Sequence, residues 1–138
     1  MGTTIRPELS QKNKYWIERH RYYELKHFCM QYSNWRKIYY SLDGWNGRRD
    51  LIDVKKTVNI NDQTAKIAQK RAYYAERMDM IERVARKTDE GLSRYILIGV
   101  TQGISYDILK VKFNIPCGKD TYYDLYRRFF WLLDKERQ

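Results

Sequence analysis

From Asn61 to Lys87 the chain contains neither glycine nor proline. Within that run Ile67, Tyr74, Met78, Ile81 and Ala85 recur at helical spacing, and Lys66, Lys70, Glu76, Arg77, Glu82, Arg83 and Arg86 occupy the remaining faces. A pattern of period 3.6 sustained over so many residues specifies an amphipathic helix and cannot settle as a strand. Arg71 falls inside the apolar stripe, so it must snorkel to water or find a partner. A helix of this length needs a second apolar surface, supplied by another helix of the same chain or by a second copy.

The neighbouring segments read the same way. No glycine or proline interrupts Ser10 to Tyr32, and Tyr15, Tyr22, Leu25, Cys29 and Tyr32 form one stripe, which predicts a long first helix capped by Ser10. A short helix follows from Ser33 or Asn34 to Leu42, carrying Trp35, Ile38 and Tyr39. Asp43-Gly44-Trp45-Asn46-Gly47 reads as the clearest break in the chain. Between Arg48 and Ile60 the alternation of Leu51, Val54, Val58 and Ile60 fits a short strand or an ordered loop. The predicted fold is all-α, divided into an N-terminal helical region (1–60), a long central helix (61–88) and a C-terminal region (89–138).

Charge narrows the function. The 138 residues carry 27 Lys and Arg against 17 Asp and Glu, a net charge of +10, which favours a polyanionic partner through counterion release. The excess is not confined to one end: residues 1–60 hold twelve basic and six acidic groups. Two cysteines, Cys29 and Cys117, are too few and too far apart for a disulfide framework or a zinc motif, which predicts a reduced, cytoplasmic chain. No stretch has the length and apolarity of a membrane span or a signal peptide. Phosphate-binding glycine loops, Gly-x-Ser-x-Gly elbows and His-Glu-x-x-His pairs are lacking, so catalysis is not expected, nor a cofactor. His20, Glu24 and His27 share a helix face, but no second ligand pair accompanies them, and they read as a solvated polar face.

The last fifty residues carry the functional signal. Asp89 is placed to cap a helix with Leu92, Tyr95, Ile96 and Gly99. Thr101-Gln102-Gly103-Ile104 makes a turn, and Ser105 caps a second helix from Tyr106 to Phe113, with Ile108 and Leu109 facing inward. Asn114-Ile115-Pro116-Cys117-Gly118 breaks that helix, because a residue before proline is pushed out of the helical region. A final helix starts near Lys119 or Asp120 and runs to Glu136. Tyr122, Leu125, Phe129, Leu132 and Leu133 form its buried stripe, and Lys119, Asp120, Tyr123, Asp124 and Arg127 its outer face. Three short helices so arranged suit a helix-turn-helix, in which the last helix enters a major groove.

The segment Tyr95-Ile96-Leu97-Ile98-Gly99-Val100-Thr101-Gln102-Gly103-Ile104-Ser105-Tyr106-Asp107-Ile108-Leu109 resembles the start of sigma-70 region 4. Lys119-Asp120-Thr121-Tyr122-Tyr123 followed by Tyr126-Arg127-Arg128 is similar to phage late-operon transcription activators of the RinA/ArpU type. The resemblance implies a sigma region 4-like helix-turn-helix that binds double-stranded DNA, regulates phage or mobile-element genes in the nucleoid, and acts near RNA polymerase. One short recognition helix reads only a few base pairs, so a homodimer is expected to gain affinity. On position, Lys119, Asp120, Tyr123 and Arg127 are expected to face bases or flanking phosphates, with Arg127 the guanine reader. Thr121 and the Ser105-Tyr106 helix start are expected to meet backbone phosphates, and Lys110, Lys112 and Arg128 to supply general attraction. Asp120 and Asp124 would repel phosphates unless they accept from a cytosine amino group or pair with Arg127. Two other classes fit the composition: a small-terminase-like DNA-packaging protein, which would assemble as a ring, and a protein-interaction module with no DNA affinity.

Overall fold

A computed structural model of the protein describes residues 12–45 and 57–138, and the secondary structure among them is helical throughout. In chain order the helices are α1 (Arg19–Met30), α2 (Tyr32–Trp45), α3 (Thr57–Thr88), α4 (Ser93–Gln102), α5 (Tyr106–Phe113) and α6 (Lys119–Glu136). The all-α class expected from the sequence is therefore observed. Two compact units divide the chain: one takes the residues up to Gln31 together with Met80–Gln138, and the other takes Tyr32–Asp79. This grouping differs from the expected three-part division, because α1 folds with the C-terminal helices.

Several boundaries also differ. The first helix starts at Arg19, where the Glu18 carboxylate accepts the Arg21 N–H at 3.0 Å. Ser10, the expected cap, lies outside the described residues. Residues Lys12–Glu18 form a turn and an extended strap instead, with Asn13 Oδ1 accepting the Tyr15 N–H at 2.8 Å and the Asn13 carbonyl accepting the Trp16 N–H at 3.0 Å. That local bond offers the backbone an alternative to a helix, a habit of asparagine that a count of apolar spacing does not register. The expected break at Asp43-Gly44-Trp45 is helical, as the last turn of α2. The long helix begins at Thr57, so the end of the segment read as strand or loop is helical, while 48–56 lies outside the described residues.

In the first unit, α1 packs on α4 and α6, and α4, α5 and α6 pack on one another. Tyr22, Leu25, Phe28 and Cys29 make the buried face of α1; Phe28 joins the expected stripe, and Tyr15 and Tyr32 lie outside the helix or beyond its unit. Tyr22 stacks edge-on against Phe130, with centroids 5.2 Å apart, and its hydroxyl bonds that of Tyr126 at 2.5 Å. Arg21 clamps the same pair of helices by donating from Nε to Asp134 Oδ1 at 2.7 Å. Ile81, Val84 and Ala85 bury the end of α3 in this unit, and Arg83 of that segment donates to Glu136 Oε1 at 2.6 Å. Each large apolar side chain so buried contributes roughly 1.5–3 kcal/mol.

Glycine is required at two positions. Gly103 ends α4 at φ +66°, in the left-handed region where a Cβ is strained. Gly99 lets α4 approach α6 so closely that a Cβ there would overlap the Tyr122 hydroxyl.

In the second unit Trp35 is buried, and the Arg71 guanidinium sits 4.6 Å from the centroid of Tyr39. The arginine within the apolar stripe is thereby accommodated by a cation–π contact.

Candidate nucleic-acid interface

The α5 helix begins where the sequence says it should. Ser105 has extended backbone and its Oγ accepts the Ile108 N–H at 3.5 Å. Ile104, before the cap, is packed against the cluster containing Leu109, in the manner of a hydrophobic staple. Asp107 in the first turn and Lys110 and Lys112 in the last complement the helix dipole. The helix stops at Asn114, which adopts the left-handed conformation at φ +53°.

The connection from Asn114 to Gly118 is anchored along its length. Ile115 is fully buried in the cluster of Tyr106, Leu109, Tyr122 and Tyr123. Its carbonyl accepts from Lys110 Nζ at 3.2 Å, and the Cys117 carbonyl accepts from the Tyr106 hydroxyl at 2.6 Å. The Tyr123 hydroxyl in turn accepts the Tyr106 N–H at 3.3 Å. Side chains from both helices thus hold the five-residue connection and fix how α6 leaves α5. Burial raises the pKa of the Cys117 thiol, with Lys110 opposing the shift. Burial also pushes the Tyr122 hydroxyl well above the ordinary tyrosine value, and Tyr126 likewise.

This arrangement corrects two expectations. Tyr123, expected on the outer face of α6, is only 6% exposed and locks α6 to α5. Tyr106, expected to greet a phosphate at a helix start, is 9% exposed, and both its N–H and its hydroxyl are committed within the protein. The buried arc of α6 is wider than a single stripe, comprising Tyr122, Tyr123, Phe129, Phe130 and Leu133, because α1, α4 and α5 all pack on this helix. Leu125 and Leu132, expected in the stripe, are half-buried. On α5, Ile108 is 40% exposed where an inward position was expected, and Val111 beside it is 85% exposed.

The structure does bring together Lys119, Asp120 and Thr121, all exposed in the first turn of α6, with Asp124 exposed one turn later. Arg127 is half-buried and donates from Nη1 to Asp124 Oδ1 at 3.0 Å. The expected acid–base pair therefore forms within the helix, and this face carries two cations and two carboxylates, with no net charge. Lys110 and Lys112 are exposed at the end of α5, and Ser105 is half-buried at its start.

Arg128 points elsewhere. It lines an open cleft of about 660 Å³ with Lys12, Asn13, Lys14, Tyr15, Thr88, Asp89, Asp124 and Leu125. Its guanidinium stands beside the Tyr15 hydroxyl and lowers that group's pKa, against the opposing effect of burial. Of the strap residues, the sequence pattern marks only Tyr15, as part of an apolar helix stripe, and gives no sign of Lys12, Asn13 or Lys14. The signal available was the excess of basic groups in residues 1–60, which does not say which of them reach the C-terminal helices.

Among the described residues, no group of three or more His, Cys, Asp or Glu side chains could hold a metal ion. Among them, too, no helix is long and apolar enough to cross a membrane. Comparison with known protein families, with curated proteins and with solved structures finds no match.

Proposed function

We propose that the chain is a sequence-specific double-stranded DNA-binding protein that regulates transcription of phage or mobile-element genes, with α5 and α6 acting as a helix-turn-helix. The observation that carries this reading is the tethered α5–α6 connection beside a helix start whose first turn, Lys119 to Thr121, is wholly exposed. A recognition helix needs both properties: a fixed angle to its supporting helix and a free N-terminal face. The net charge of +10 supplies the attraction to phosphates. Asp120 accepts from a cytosine amino group, Lys119 and Thr121 meet bases or phosphates, and Arg127 reads guanine once Asp124 releases it. A homodimer doubles the base pairs read, and action near RNA polymerase follows from the sigma-like resemblance.

The test is binding of the purified protein to fragments from its own genomic neighbourhood and to random duplex, across a salt series, with Lys119→Ala and Arg127→Ala alongside. One fragment should be preferred by about 10³ or more, and each substitution should erase about 1–3 kcal/mol of that preference. Equal, weak binding to every duplex would sink the reading. Exposed Ile108 and Val111 favour a second reading, in which α5 meets a protein partner. Binding of that kind would be insensitive to salt and would occur without DNA.

A further inference from the structure

The cleft beside α6 has the chemistry of a phosphate site. Three cations line it: Lys12 and Lys14 from the strap and Arg128 from α6. The two carboxylates in the lining are already engaged. Asp124 accepts from Arg127 at 3.0 Å, and Asp89 Oδ1 accepts the Leu92 N–H at 3.0 Å, within the turn that leads into α4. Thr88 is spoken for as well, its hydroxyl donating to the Val84 carbonyl at 2.8 Å. Arg128 and Lys14 both engage the Tyr15 hydroxyl and lower its pKa, and the N–H groups not used there are the donors that the cleft offers.

The strap is held in place. The Asn13 turn fixes its backbone, the Tyr15 ring lies 5.5 Å from that of Trp131 on α6, and Ile17 is buried. Lys14 Nζ lies 5.0 Å from the Tyr15 ring centroid, which holds the ammonium at the cleft wall. An anion entering here meets cations whose supporting backbone is already ordered, so little conformational entropy is lost on binding.

Position selects the source of the anion. Asp124, Leu125 and Arg128 of the lining lie one to two turns along α6 from the exposed Lys119–Thr121 turn. When a helix enters a major groove of about 12 Å, the two phosphate rows run along its flanks. We propose that this cleft holds a backbone phosphate of duplex DNA, donated to by Lys12, Lys14 and Arg128, beside the groove that α6 enters. The inference rests on the DNA-binding reading and adds to it a contact from the N-terminal strap, which sets the register of α6 without reading sequence.

The experiment is a fluorescence-anisotropy titration of a labelled duplex of about two helical turns from about 50 to 200 mM salt. The proteins are the wild type, Lys12→Gln/Lys14→Gln and Lys12→Arg/Lys14→Arg. Both lysines are exposed, so the fold is not at stake; matching thermal midpoints verify this. The glutamine pair should weaken binding about fivefold to tenfold for every sequence alike and make the slope of log K against log salt shallower by about 1. The arginine pair should restore both. If the wild type binds duplex and the glutamine pair matches it in affinity and slope, the cleft is not a backbone site, while the DNA-binding reading stands. Strong binding of inorganic phosphate to the cleft without competition from duplex would overturn the proposal equally. Failure of the wild type to bind any duplex would remove the DNA-binding reading, and this inference with it.

Discussion

The Tyr123 hydroxyl accepts the backbone N–H of Tyr106 at 3.3 Å, so the residue that looked like a base reader is a strut between α6 and the first turn of α5. An N–H in the first turn of a helix has no partner within the helix, and burial makes an unpaired one costly. A side chain from the following helix supplies the acceptor.

Tyr123→Phe should therefore lower stability by about 1–2 kcal/mol through the orphaned Tyr106 N–H, and Tyr123→Ala by about 3–5 kcal/mol through the added cavity. Urea denaturation measures both. Folded Tyr123→Phe should keep the duplex preference of the wild type; a selective loss of preference with unchanged stability would mean that the hydroxyl does face DNA.

Gly99 and Tyr122 give a coupled pair. Gly99→Ala should destabilise by about 1–3 kcal/mol, because the new methyl and the buried Tyr122 hydroxyl claim the same space. That hydroxyl has no hydrogen-bond partner among the described residues, so Tyr122→Phe should be neutral or stabilising. In the double variant most of the Gly99→Ala cost should disappear. Additive effects in the cycle would refute the close approach.

Asp124→Asn should free Arg127 and remove one carboxylate from the outer face of α6. The expected outcome is tighter binding to all duplexes and a salt slope steeper by about 1. Unchanged affinity would place this face away from the nucleic acid.

Glu136 links α6 to the end of α3. The Arg83 guanidinium, 2.6 Å from one of its oxygens, holds its carboxyl below the ordinary value, with Lys87 assisting and burial opposing. A depressed carboxylate pKa stabilises the fold above the unfolded value of about 4.3, and that contribution is lost as pH falls through the folded pKa. Partial exposure limits it to about 1 kcal/mol or less. Thermal midpoints of wild type and Glu136→Gln should differ at pH 7 and converge on acidification below about pH 4; a gap that persists there would show that packing, and not charge, sets the effect.

Local chemistry made α5 and α6 legible in the sequence. A serine cap, a proline-containing connection and a glycine before the next run mark their ends, and the structure has Tyr106–Phe113 and Lys119–Glu136 where those marks predict them. The start of α1 was not legible, since nothing between Ser10 and Glu18 interrupts a helical pattern. The Asn13 turn and the docking of Tyr15 on Trp131 decide the matter. Of the candidate interface, the exposed Lys119–Thr121 turn was readable and the cleft was not, because Lys12 and Lys14 lie more than a hundred positions from Arg128.

By itself the sequence determined the helical class, the last two helices and the cationic balance, since these depend on periodicity, caps and charge within a few residues. Only tertiary packing decided which way the tyrosines face. A tyrosine suits either a core or a surface, carrying a ring that favours burial and a hydroxyl that needs a partner. Tyr123 turns inward because α5 offers both an apolar cluster for the ring and an unpaired N–H for the hydroxyl, and that combination exists only once the helices have come together.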